Sequence, residues 1–152
     1  MSDPLDPATR PSRLSLVVHL AVVVLLAASF LSGVFIWWGQ TIQSRELEPP
    51  GWLRGCLVAH GCLNPFLCGL FGYLCCQHIR IGWALRANLA TGIVMEALFA
   101  ALILSGVGLY YAGAEEWRTG LVWAHRICGL LIPAGLGAHW IAAVRWVEKI
   151  SK

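Results

Sequence analysis

Five histidines carry most of the chemistry this sequence can offer: His19, His60, His78, His125 and His139. Each lies in or at the end of a long apolar stretch, where an ionisable side chain is costly and points to a functional site. One such histidine alone reads as a hydrogen bond between helices; several at complementary depths ask for more. His125 and His139 stand fourteen residues apart. On one helix that interval leaves the two rings within ~40° of a common face and ~21 Å apart. Ligands that share one ion sit three or four residues apart on a helix, so the longer interval suits two separate cofactors, one in each leaflet. Imidazole ligates haem iron, and a four-helix core can hold a flat macrocycle between facing helices.

The same fourteen-residue interval separates His19 from Gly33 and Gly92 from Gly106. A glycine at the depth of a haem leaves room for the porphyrin plane where a side chain would collide. Any one of these glycines could simply let two helices pack closely. The shared interval is what favours the haem reading.

The elements that must position these residues follow from composition. Of 152 residues, 58% are hydrophobic and only 12% charged, with a formal net charge of +3. Soluble domains carry about 25% charged residues, so disorder, nucleic-acid binding and an ordinary cytosolic enzyme are excluded as readings. A span needs about 20 mostly apolar residues, and four stretches qualify, at about 14–38, 52–78, 87–111 and 119–147. Between them lie QSRELEPPG, a short basic turn IRIGWALR and a short acidic turn AGAEEWR. The expected architecture is a single membrane domain over 1–152, an all-α transmembrane four-helix bundle in contact with lipid, after a polar tail over 1–13. The tail is unlike a secretory leader and the first apolar stretch is too long for one, so it is expected to be retained.

Lys and Arg set the expected orientation. Arg10, Arg13, Arg80, Arg86, Arg145, Lys149 and Lys152 fall on the side of both termini. Arg45, Arg54, Arg118 and Arg126 fall on the other, beside Glu46, Glu48, Glu115 and Glu116. Both termini are therefore expected in the cytoplasm. Trp37, Trp38, Trp52, Tyr110, Tyr111 and Trp117 read as the outer aromatic belt, and Trp83, Trp140 and Trp146 as the inner one.

The two halves echo each other. LSGVFIWW precedes the first outer loop and LSGVGLYY the second, and in each half a Trp precedes a His by eight residues, Trp52 to His60 and Trp117 to His125. Short matches among common span residues arise by chance, but matched order across both helices of each pair favours duplication. Helices two and four then run parallel, with His60 and His125 at similar depth.

With Arg13, His19 and Ser32-Gly33 on the first helix, His60 on the second, and His125, Gly129 and His139 on the fourth, the chain resembles the bacterial di-haem b-type cytochromes. These comprise the cytochrome b-561 family and the membrane subunits of nickel-iron hydrogenases and formate dehydrogenases. The resemblance covers all four helices, through spacings more than through long identities. It implies a bundle holding two stacked b haems, with His60 and His125 on the outer one and His19 and His139 on the inner one. It also implies a multi-pass protein of the bacterial inner membrane that carries electrons between a periplasmic-side partner and a quinone, as a subunit of a respiratory or redox complex rather than as a self-contained enzyme. His78 departs from the pattern. The internal echo would pair it with His139, yet it follows His60 by eighteen residues, which sets it ~6 Å nearer the cytoplasm than the recurring interval would. Otherwise His78 reads as an interfacial residue near a propionate or a quinone.

Glu96 is the one carboxylate inside a span. It fits a proton or quinone site, and equally a hydrogen bond to a neighbouring helix or a partner subunit. Arg54 and Arg126 could meet haem propionates, or simply snorkel. The six cysteines lack a C-x-x-C-H motif and read as small buried side chains. Two rival functions share the composition. One is a structural or assembly subunit of a membrane complex whose histidines are non-redox or bind a chlorophyll-type pigment. The other is a metal-ion transporter, disfavoured by the absence of a central acidic cluster.

Overall fold

A computed structural model describes residues 14–46 and 48–150. The tail over 1–13, with Arg10 and Arg13, lies outside the described residues, as do Lys152 and the side chains of Glu46 and Lys149. The described residues are helical and contain no strand: α1 Leu16–Glu46, α2 Leu53–Leu74, α3 Arg80–Leu85, α4 Leu89–Tyr111 and α5 Glu115–Ile150, with a single wide turn over Cys75–Ile79 between α2 and α3. In lipid a backbone must satisfy its own N–H and C=O groups, and a continuous helix does so within one segment.

Four helical stretches among the described residues are long and apolar enough to cross a membrane: Leu16–Arg45, Leu53–Leu85, Leu89–Tyr111 and Glu115–Trp146. Even the shortest, at 23 residues, extends ~35 Å against a hydrocarbon core of about 30 Å. By length and composition the chain is a multi-pass membrane protein. Its side chains agree. Leu16 and Val17 on α1 and Leu104 on α4 are more than 70% exposed, a coat that suits lipid and not water.

The helices outrun the expected spans. α1 continues past Trp38 to Glu46. There Thr41 Oγ1 donates to the Trp37 carbonyl and Ser44 Oγ to that of Thr41, so the polar turns remain helical until Pro49 and Pro50 forbid it. IRIGWALR is no turn but helix as far as Leu85. It contains no proline, and Gly82 alone does not break it. The chain reverses just beyond, where Arg86 and Asn88 both take left-handed backbone at φ 49° and 50°. α5 begins at Glu115, four residues before the expected span, with Glu115 and Glu116 in its first turn, where the helix dipole favours carboxylates.

The residues form two compact units, one over Ser15–Gly72 and the other built from Tyr73 onward. In the first, Ser32 meets His60 and Gly39 meets Leu53, pairings that step in opposite directions and make α1 and α2 antiparallel. Phe35, Trp38 and Trp52 cluster at ring separations of 5.7–6.2 Å, tilted or edge-on to one another. In the second unit Thr91 meets His139, Ser105 meets His125 and Gly108 meets Leu121, so α4 and α5 are antiparallel too. Arg118 spans their short connection by donating to the Leu109 carbonyl. Small residues permit the contact: a Cβ on Gly135 would come within 2.9 Å of Met95 Sδ, as expected where helices in lipid pack by close approach.

Candidate functional site

Three of the five histidines are held alike. The Nδ1 atoms of His60, His125 and His139 lie 2.9, 3.0 and 3.0 Å from the hydroxyl oxygens of Ser32, Ser105 and Thr91. All three rings are half-buried. Every one of these hydroxyls belongs to a residue followed by glycine, in Ser32-Gly33, Thr91-Gly92 and Ser105-Gly106. What Gly33 and Gly92 leave room for in the structure is an imidazole ring: a Cβ on either would meet Cε1 of His60 at 3.4 Å or of His139 at 3.8 Å. Gly129, by contrast, faces Leu102 at an ordinary contact distance of 3.9 Å.

The recurring fourteen-residue interval thereby gains a physical meaning. Thr91 and Ser105 on α4 are as far apart as His139 and His125 on α5. Antiparallel helices with equal steps bring both hydroxyls opposite both rings, at levels ~21 Å apart. The internal echo has the same content. Ser32 and Ser105 occupy corresponding places in LSGVFIWW and LSGVGLYY, and each holds the histidine of the helix that follows.

His139 is held by more than one residue. Asn88 Nδ2 donates to its backbone carbonyl at 3.0 Å and lies 3.3 Å from Nδ1, while Thr91 Oγ1 donates to Asn88 Oδ1 at 2.7 Å. The left-handed backbone of Asn88, tolerated by Asn better than by most residues, turns this side chain back onto α5. Across from it stands His78, its ring centroid 6.1 Å from that of His139 and its plane turned by 83°. The wide turn aims His78 there: the Arg80 N–H bonds the Cys75 carbonyl five residues back instead of four. Such single π turns recur at functional sites.

The remaining candidates are placed as follows. His19 is exposed on the first turn of α1. Glu96 accepts a hydrogen bond from Trp83 Nε1 at 2.9 Å, the neighbouring-helix partner that the sequence left as one of its alternatives. Arg126 lies over the Trp123 ring at 5.5 Å, and Arg54 is exposed. The cysteines are unbridged. The expectation that all are buried fails at Cys62 and Cys76, which are exposed; a thiol is apolar enough to face lipid. Asn88, Thr91 and Ser105 were missed as site residues. The signal for two of them was in the sequence, as a hydroxyl residue before each glycine of the spaced pair on α4.

Among the described residues no three His, Cys, Asp or Glu side chains gather as a metal-ion site. A haem asks less of a protein, since its iron needs only one or two axial side chains. Two imidazoles bound on opposite sides of one metal atom, each through a bond of about 2 Å, have ring centroids about 6 Å apart. The ring centroids of His78 and His139 are 6.1 Å apart. Comparison with known proteins adds no relative: no family model matches the chain, no curated protein matches it and no solved structure matches it.

Proposed function

We propose that this chain is a di-haem b-type cytochrome subunit, which carries electrons across a membrane between a redox partner on one side and a quinone. The observation that carries the proposal is the repeated holding of half-buried imidazoles inside apolar helices by Nδ1, together with the facing His78 and His139 rings. Metal-binding histidines ordinarily have their second nitrogen fixed in this way, whereas a histidine serving only to join helices has no need of a second ring at ligand distance.

His60, His125 and His139 would each serve as a haem-iron ligand. The ring contact favours His78 over His19 as the second inner ligand. Haem iron, when bound, supplies reversible one-electron transfer. The residues of this chain hold and orient the group, and their apolar coat keeps water from it. Glu96, held by Trp83, is the carboxylate suited to exchange a proton with a quinone on the inner half of α4. The excess of Lys and Arg toward both termini supports a cytoplasmic location for them, and the resemblance to bacterial di-haem cytochromes supports the inner membrane. The resemblance to di-haem cytochrome subunits supports a separate subunit as the electron donor.

The purified protein tests this directly. A reduced-minus-oxidised spectrum should give a b-type band, with about two haems per chain by pyridine haemochrome. Protein purified from haem-replete cells without such a band refutes the proposal. A bound pigment other than haem would support the structural or assembly subunit instead.

A further inference from the structure

The last turns of the membrane-spanning part of α5 carry a shallow groove that the histidine sites do not use. It has a volume of about 580 Å³ and is lined by Ala138, Ile141, Ala142, Arg145 and Trp146. Steps of three and four residues place all five on one face of the helix. His139 points ~100° away from Ala138, toward Thr91 on α4.

The groove has two chemically different ends. Toward the middle of the span, two alanines beside Ile141 leave an apolar trough. At the other end, ~10 Å along the axis, stand Arg145 and Trp146, where the apolar span closes. A tryptophan at such a boundary sits at headgroup level. Arg145 is exposed, and its side chain has no hydrogen bond or ion pair among the described residues. Glu148, the carboxylate nearest to it in sequence, is engaged by another residue. Asn88 bonds the His139 carbonyl, so Arg86, just before Asn88, lies toward the same end of the helix pair as Arg145. The Arg86 side chain is likewise exposed and unpaired among the described residues.

We propose that this groove binds an anionic phospholipid, with an acyl chain along Ala138, Ile141 and Ala142 and the phosphate on Arg145. Basic pockets on membrane helices recognise anionic headgroups in this way. A long arginine at a membrane edge reaches water in any case; the trough directly beneath Arg145 is what makes it part of a site. A zwitterionic lipid brings its own cation and leaves the two arginines uncompensated. A second protein helix laid in the trough would bury Arg145 without a carboxylate, which is costly. No haem is needed for this binding, because His139 and its partners lie on another face.

The test is the full chain, purified in mild detergent and titrated with phosphatidylglycerol or phosphatidylcholine while native mass spectrometry counts the lipids bound per chain. One basic side chain at a lipid surface changes affinity about fivefold. The first phosphatidylglycerol should therefore bind about fivefold more tightly than the first phosphatidylcholine. Arg145→Gln should erase that preference. Ala138→Leu, which fills the trough from an exposed position, should weaken the first phosphatidylglycerol by a similar factor, and Arg86→Gln should leave it unchanged. Equal losses in Arg86→Gln and Arg145→Gln would show a diffuse field at the membrane edge and overturn the site. So would a wild-type chain without the preference, or an Ala138→Leu chain that binds lipid as the wild type does. A dimer that Ala138→Leu dissociates would also overturn it, since the trough would then hold a second copy.

Discussion

The glycines of α1 and α4 make a graded test of how closely the helices approach, independent of any bound group. Replacing Gly39 by Ala puts a methyl 2.8 Å from Leu53 Cδ1 and 2.9 Å from Trp52 Cη2. Leu53 is buried at 4% exposure and does not yield freely, while Trp52, partly exposed, touches the Phe35 and Trp38 rings edge-on and tilted. Overpacking of this kind costs about 1–3 kcal/mol. At Gly33 the new methyl would stand 3.4 Å from His60 Cε1, and at Gly92 it would stand 3.8 Å from His139 Cε1. The first is a tight but bearable contact and the second an ordinary one. Gly120, with nothing within 4 Å, is the control. Alanine in place of a helical glycine also adds about 0.5–1 kcal/mol of helix preference, a gain shared by all four. The expected order of stability is therefore Gly120→Ala and Gly92→Ala highest, Gly33→Ala slightly lower and Gly39→Ala clearly lowest. The gap corresponds to about a tenfold change in the unfolding equilibrium for each 1.4 kcal/mol. Denaturant titration of the purified chain in mixed micelles, followed by tryptophan fluorescence and helical circular dichroism, measures it. A Gly39→Ala chain as stable as Gly92→Ala would refute the packing argument, because the two differ by 1.0 Å in the nearest contact.

Two further outcomes follow from the site. On the di-haem reading, His78→Ala should lower haem content from about two per chain to about one while His19→Ala keeps both, as the contact of the His78 and His139 rings suggests; the reverse pattern in the two variants restores His19 as the ligand. Glu96→Gln keeps an oxygen that can accept from Trp83 but loses the ionisable group, so haem content and chemical reduction should be unchanged while reduction by a quinol slows at least tenfold. An unaffected quinol rate would leave Glu96 as a helix-joining residue only.

The parts of this molecule that were legible in its sequence are those whose physics is local. Long apolar runs become helices in lipid because each segment must satisfy its own backbone, and His125 and His139 share a face because the helical repeat places them there. The boundaries were less legible. GQTIQSRE and IRIGWALR look like loop by polarity, yet both stay helical, since nothing in either prevents it and the real stops are Pro49-Pro50 and the reversal at Arg86 and Asn88. The holding residues were legible only in part. Ser32, Thr91 and Ser105 are ordinary span residues taken singly, and what distinguishes them is the ring each one faces.

The sequence by itself determined four apolar helices, histidines at two levels and glycines at the matching interval, because composition and the 3.6-residue repeat act within one helix. Which atoms meet was decided only by tertiary structure. The antiparallel registers of α1 with α2 and α4 with α5 place hydroxyls against Nδ1 atoms, and the left-handed Asn88 folds its amide onto His139. A single wide turn at Cys75–Ile79 brings His78 to the His139 ring despite an interval that had favoured His19. Those contacts depend on the rotation of one helix against its neighbour, which packing sets and no single helix encodes.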